Sequence, residues 1–252
     1  MAISMKFQDI VRTVVYTAIT FIATVLLVIE TPATGGYFNL GEASIYVIAF
    51  ISSPIVAGVS SGLGPALADL VLGYWYFAPA TFVIKFCEGF VVSKLAMYIR
   101  NRGSTLIRIA TASTGVILSL IVAIFLSFGG GVIEAEFSWA PTTLLGITLP
   151  IPSFRVVLPA YIWLIIAFAI ASLSIAVLAR IRPDVFPMAI GGGIMVLGYF
   201  FYEYFISNPL ILGREAIAAL FEVPVNIGQF TVGMLIAYPV VQFIEKARGF
   251  RS

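Results

Sequence analysis

Eight apolar stretches, at about 7–29, 43–59, 61–74, 80–99, 106–128, 157–179, 185–206 and 224–245, leave this chain little water-facing sequence. A helix needs about 20 mostly apolar residues to cross a bilayer, because hydrocarbon leaves every backbone group to be satisfied within the segment. Hydrophobic residues make up 61% of the chain and charged residues 10%, against roughly 45–50% and 25% in soluble domains. So few charges cannot cover a soluble surface. The expected fold is an all-α polytopic membrane protein, a bundle of about eight transmembrane helices. A count of seven follows if 43–74 breaks differently.

Charge placement sets the expected sidedness. With the N-terminus inside, the cytoplasmic ends hold Lys6, Arg12, Lys94, Arg100, Arg102, Arg108, Arg180, Arg182, Lys246, Arg248 and Arg251, eleven of the 14 basic residues. Arg155 and Arg214 fall in outer loops, and Lys85 lies inside a stretch. Cytoplasmic loops carry such an excess of Lys and Arg, so both termini are expected in the cytoplasm, at the cell membrane. The longest connection, Gly129–Val156, reads as an extended loop or lid on the outer face.

Several function classes are excluded. A net charge of +2 provides no field for nucleic acid. Without histidine there is no Ser-His-Asp triad and no His-ligated zinc, and the single Cys87 cannot build a cluster. An aspartyl-type intramembrane enzyme needs two membrane aspartates, and only Asp69 qualifies. No Gly-x-x-x-x-Gly-Lys-Ser/Thr loop occurs, so any ATP hydrolysis belongs to another polypeptide. Neither cofactor nor metal is expected.

Four ionisable residues stand inside the apolar stretches: Asp69, Lys85, Glu88 and Glu203. Each costs about 2.5–3.5 kcal/mol or more at a helix centre, so each should be paired, face a cavity, or serve function. Asp69 and Lys85 lie roughly 7–8 Å from the outer ends of consecutive stretches, a matching depth that permits an ion pair. Glu88 follows Lys85 by three and shares its helical face. Glu203, Asn226 and Gln229 sit near the same side, as do Asn39 and Glu42 in the first outer loop. Polar residues acting only as helix glue would be spread over all depths. A salt bridge that merely locks two helices is the competing explanation. Tyr37, Phe38, Tyr74-Trp-Tyr-Phe77 and Tyr199–Phe205 ring the region, either as an interfacial aromatic belt or as a stacking surface for a flat ligand. Gly58-Val-Ser-Ser-Gly62 suits a close helix contact or a tight inner turn, and Gly191-Gly-Gly193 suits tight packing.

Gly36-Tyr-Phe-Asn-Leu-Gly-Glu42, Gly62-Leu-Gly-Pro-Ala-Leu-Ala-Asp-Leu70 and Ala78-Pro-Ala-Thr-Phe-Val-Ile-Lys-Phe-Cys-Glu-Gly-Phe90 resemble S components of energy-coupling factor (ECF) transporters, closest to the riboflavin-type branch. Gly198-Tyr-Phe-Phe-Tyr-Glu203 and Pro224-Val-Asn-Ile-Gly-Gln229 are similar to that family's last two helices. The resemblance implies a subunit without catalysis that binds a vitamin or related micronutrient, riboflavin first, at the outer face. It also implies a transmembrane T subunit and two cytoplasmic ATPases as partners. Such S components usually have six spans. The chain then divides into an N-terminal four-helix part (1–100), an inserted helix pair with its outer loop 129–156 (101–183), and a C-terminal pair (184–252). The family's Ala-x-x-x-Ala contact is replaced here by Thr20-x-x-x-Thr24, with Ala18 and Ala23 five apart.

The expected ligand site is Asn39, Glu42, Asp69, Tyr74, Lys85, Glu88, Glu203, Asn226 and Gln229, with Lys85 as the fixed cation for ligand acceptors and Asp69 or Glu88 keeping it charged. The alternative is an autonomous ion-coupled transporter in which Asp69, Lys85 and Glu88 relay a proton. On the ligand-site reading, Lys85→Met abolishes ligand binding in detergent solution while the fold survives.

Overall fold

The computed structural model describes residues 7–31, 35–100 and 185–247, together with segments 132–138, 143–144, 147–148, 153–159 and short pieces between 161 and 173. Its helical frame is α1 (Phe7–Leu26), α2 (Gly41–Ile51), α3 (Pro54–Leu72), α4 (Ala78–Arg100), α5 (Val185–Tyr202) and α6 (Val223–Ala247). A π-helical turn, Glu203–Leu212, and a 3-10 turn, Ala216–Phe221, join the last two. Among the described residues, Phe7–Leu26, Pro54–Leu72, Val185–Leu212 and Ala216–Ala247 are long and apolar enough to cross a membrane. The fold is that of a helical membrane protein.

The first helix shows how hydrocarbon reverses the usual pattern. Phe7, Ile10, Val14, Ile22 and Leu26 are exposed, whereas Thr13, Thr20 and Thr24 are buried. Each buried hydroxyl is satisfied on the helix itself, donating to the carbonyl four residues back: Thr13 to Asp9 at 2.7 Å, Thr20 to Tyr16 at 3.0 Å and Thr24 to Thr20 at 2.8 Å. Thr20 also reaches the Ser60 carbonyl of α3 at 2.9 Å. Thr20-x-x-x-Thr24 is therefore an internal seam and cannot be an outward coupling surface.

Close backbone approach builds the rest. A Cβ at Gly58 or Gly62 would press on Phe86 or on the Phe82 carbonyl of α4. The glycine pair is thus a contact face inside α3. The expected break near residue 60 lies instead at Ser52-Ser53, where Pro54 opens α3 and a proline without an N–H is readily accommodated. The short element is accordingly α2, at 11 residues, and not the third stretch. Gly191 meets Val92 and Glu88, Gly192 meets Phe230, and Gly198 meets Ile84, so α5 is wedged between α4 and α6. Tyr46, Met188, Met195, Ile227, Phe230 and Met234 fill the core between these helices.

The all-α expectation needs correction at one end of the bundle. After α1 the chain forms a hairpin of β1 (Val28–Thr31) and β2 (Gly36–Asn39), in register from Val28↔Asn39 to Thr31↔Gly36, with Gly35 at φ 77°. Outside the membrane core, backbone groups released from a helix find partners in strand pairing instead. The expected loop 129–156 holds β3 (Val132–Ser138), β4 (Thr143–Leu144), β5 (Ile147–Thr148) and the start of β6 (Ser153–Pro159). Together they give a sheet ordered β2-β1-β3-β6 and a small β4-β5 hairpin. Residues 157–159, expected to begin a span, are the end of β6. Its alternating burial, with Arg155 and Val157 exposed and Val156 half-buried, is that of a strand. The expected span 106–128 lies outside the described residues, as does most of 157–179, so the count of eight helices is not carried over; six helices are described.

Gly64 is the tightest point between α1 and α3. A Cβ there would collide with Thr20 Oγ1 and lie 2.8 Å from the Phe21 nitrogen and the Thr17 carbonyl. Backbone cannot yield as a side chain does, so Gly64→Ala should destabilise the protein by about 1–3 kcal/mol. Thermal unfolding in detergent micelles measures this; Gly193→Ala, where a Cβ meets nothing within 4 Å, is the control expected to change little.

Candidate functional site

Lys85 is the centre from which the site can be built. α4 carries it into the bundle, where it is 2% exposed. An ammonium has three donors, and each has an acceptor: Glu42 Oε1 from the start of α2, Glu88 Oε2 one turn along α4 at 3.2 Å, and Met195 Sδ of α5. The Tyr199 ring centroid lies 5.6 Å from the ammonium. Glu42 and Glu88 are themselves fully buried. Hydrocarbon around the bundle gives such ions no water, so pairing is what makes their burial tolerable.

A second network continues from Glu42. Gln229 of α6 donates from Nε2 to Glu42 Oε1 at 3.2 Å. Its Oε1 accepts from the Asn39 backbone N–H at 3.0 Å and from Asn39 Nδ2 at 3.3 Å. Asn39 Oδ1 in turn accepts from the Gly41 N–H at 2.8 Å, fixing the entry into α2. The second strand of the first hairpin therefore dips into the bundle and carries Glu42 down to Lys85. These residues form a connected polar floor, in which Glu42 Oε2 and Glu88 Oε1 remain buried without a hydrogen-bond partner.

The wall above this floor differs. Asp69 of α3 accepts from the Tyr37 hydroxyl at 2.6 Å through Oδ1, and the Thr81 hydroxyl stands beside the same carboxyl as a second hydrogen-bond partner. Burial, reinforced by the Asp69 carboxylate, pushes the Tyr37 phenol well above its ordinary pKa, so it remains a donor. Tyr37 packs on Tyr74 with ring centroids 4.8 Å apart. Tyr199 donates to Thr81 Oγ1 at 3.0 Å. Glu203 opens the π-helical turn, is 1% exposed, and has Oε2 buried without a partner. Pro209 lies in that turn; a residue lacking an N–H cannot continue regular α-helical bonding, and π geometry is a common outcome at functional sites.

Floor and wall enclose a narrow cavity of about 30 Å³. Of the expected site residues, Asn39, Asp69, Lys85, Glu203, Asn226 and Gln229 line it. Glu42 and Glu88 stand behind as the partners of Lys85. Tyr74 does not line it but supports Tyr37. The expected Asp69–Lys85 pair is not formed, because Glu42 occupies the place that equal depth had suggested for Asp69. That separation also divides the relay needed by the ion-coupled alternative.

Further lining residues, Gly36, Tyr37, Pro65, Phe77, Thr81, Tyr199 and Glu222, were outside the expected set. Thr81 had a usable signal, standing four residues before Lys85 on the same helical face. Glu222 stands two residues ahead of the last apolar stretch at 224–245, where an acidic residue is ordinary. A Cβ at Gly36 would press on the Glu222 carboxylate, so the hairpin closes directly over this side chain. The aromatics divide by exposure: Tyr37, Phe77 and Tyr199 face the cavity, whereas Trp75, Phe201 and Phe205 are exposed and form the belt.

Saturation of Lys85 changes the outcome expected for its removal. Lys85→Met would strand two buried carboxylates, a loss of about 3–5 kcal/mol, so the fold itself should suffer. Lys85→Met combined with Glu42→Gln and Glu88→Gln should recover most of the lost thermal stability in micelles. A single mutant as stable as the parent would contradict this.

The family model described as "ECF-type riboflavin transporter, S component" matches residues 4–151. A protein of Pyrococcus woesei described as "Uncharacterized protein in gap 3'region" is 34% identical over 116 residues, covering 46% of this chain and 78% of the relative. No solved structure shows a significant match.

Proposed function

Since the chain belongs to the ECF-type riboflavin transporter S component family, we propose that it captures a vitamin-like ligand, riboflavin first, in the cavity between the hairpin, α3, α4, α5 and α6. The observation that carries this reading is the convergence on one cavity of the buried polar side chains Asp69, Lys85, Glu203, Asn226 and Gln229 from α3, α4, α6 and the π-helical turn. Aromatic faces of Tyr37, Phe77 and Tyr199 beside these acceptors suit a flat heteroaromatic compound with polar edges.

Asp69, Glu203 and Asn226 serve as ligand-facing groups, with Asn39, Glu42, Lys85, Glu88 and Gln229 as the brace that holds them. Tyr74 positions Tyr37. The charge bias puts this end of the bundle outside the cell membrane, which suits uptake. As an S component the protein works with a transmembrane T subunit and ATPase subunits, which supply the ATP-driven step that this chain has no loop to perform. The exposed apolar face of α1, through Ile10, Val14 and Ile22, suits a membrane-embedded partner or lipid.

Mass spectrometry of small molecules released on denaturing gently purified protein tests the reading. The expected result is a stoichiometric vitamin or precursor, a flavin in the first instance. A protein that is empty, and stays empty after incubation with a vitamin mixture, would overturn it.

A further inference from the structure

The π-helical turn carries a polar group that lies mostly behind the cavity. Of its ten residues, Glu203–Leu212, three are buried: Glu203, Ser207 and Asn208. With bonding from residue i to i+5, positions four and five apart stack on one face. That face points into the bundle, while Phe205, Ile206, Leu210 and Ile211 of the same turn are exposed apolar side chains suited to lipid. Four of the eleven buried side-chain atoms without a hydrogen-bond partner among the described residues lie on it: Glu203 Oε2, Ser207 Oγ, and both Oδ1 and Nδ2 of Asn208. Elsewhere each such side chain contributes a single atom. The carboxyls of Glu42, Glu88 and Asp69 are each engaged through their other oxygen. An amide buried with neither atom engaged is expensive in a membrane, where lipid supplies no partner.

Among the described residues, no basic side chain offsets Glu203. Lys85 pairs with Glu42 and Glu88, and the Arg214 guanidinium lies at the hairpin tip beside Gly35 and Tyr76. The groups on this face supply a carboxylate, a hydroxyl and an amide oxygen, all hard oxygen donors of the kind that hold alkali and alkaline-earth ions. No three His, Cys, Asp or Glu side chains among the described residues converge as a multivalent metal would require. One carboxylate with neutral oxygens matches a single positive charge and keeps the site neutral inside the membrane. We propose that Glu203, Ser207 and Asn208 bind a monovalent alkali cation, sodium first, within the π-helical turn. Pro209 has no N–H, so one carbonyl of the preceding turn loses its helical donor. Interrupted membrane helices place ions at such breaks, where freed carbonyls complete the coordination shell. The cation binds without any vitamin ligand, although Glu203 also borders the cavity and links the two sites.

The test follows thermal unfolding of the full chain in detergent micelles without ligand, as sodium chloride replaces choline chloride at constant ionic strength. The unfolding temperature should rise by about 3–5 °C for each tenfold increase of sodium beyond its dissociation constant. Asn208→Leu, nearly isosteric, should flatten that response and be at least as stable as the parent in choline alone, because it removes an unpartnered amide. Ser207→Ala should reduce the sodium response in the same direction. Broadening of the sodium NMR line by the parent protein, lost in Asn208→Leu, is the second readout and needs no unfolding.

A parent protein whose unfolding temperature and sodium line are indifferent to the exchange of choline for sodium would overturn the site. So would a sodium response kept in full by both variants, which would put the ion elsewhere, or a stronger response to calcium than to sodium. A temperature that shifts with pH and not with sodium would leave Glu203 as a buried acid holding its proton, and would also overturn the proposal. Potassium acting equally with sodium would uphold the alkali-cation site and remove only the preference for sodium. None of these outcomes bears on whether the cavity captures a vitamin.

Discussion

Everything at this end of the bundle depends on one buried ammonium. Lys85 joins α4 to α2 through Glu42 and to α5 through Met195, and it is held in place on its own helix by Glu88. In hydrocarbon no water would replace a missing partner, so these contacts have to form together or the ion cannot be buried. Glu42 can meet Lys85 only because the first hairpin folds inward, and the hairpin is held there by Asn39 and Gln229. The ion pair thus dictates where the first loop runs, and that loop becomes part of the cavity roof.

Glycine makes this arrangement geometrically possible. Gly58, Gly62 and Gly64 bring α3 against both α1 and α4, while Gly191, Gly192 and Gly198 bring α5 between α4 and α6. Van der Waals contact between closely approaching backbones drives helix association where lipid is as apolar as any side chain. Tight packing below leaves the opening above, where the π-helical turn and the hairpin separate the helix ends. Structural stability and ligand access are therefore assigned to different levels of one bundle. The exposed apolar side chains of α1 belong to the outer boundary, where lipid or a membrane partner completes the surface.

Much of the site was legible in the residues because hydrocarbon makes polar side chains conspicuous. Asp69, Lys85, Glu88 and Glu203 stood out as ions in apolar stretches, and Asn226 and Gln229 as a polar pair at helical spacing. The structure brings them to one cavity or to the shell directly behind it. Glu222 and Thr81 escaped notice because an acidic residue before a span and a threonine within one are ordinary. Partner assignment failed at Asp69, since depth along two helices says nothing about the direction each side chain faces. Glu42 was placed in a loop, and nothing local announces that the loop descends into the bundle.

The sequence by itself determined that the chain is a helical membrane protein, its family, and the level at which its polar residues gather. Those follow from local composition and from the cost of burying charge, which any arrangement of the helices must respect. Only the tertiary structure decided that Lys85 pairs with Glu42 and Glu88 and that Asp69 belongs to Tyr37. It also decided that an expected loop is a sheet and that Gly58 and Gly62 form a contact face, not a turn. Hydrogen-bond partners come from elements as many as 190 residues apart, and the choice among equally deep candidates is made by side-chain direction and close packing, neither of which is written in a local pattern.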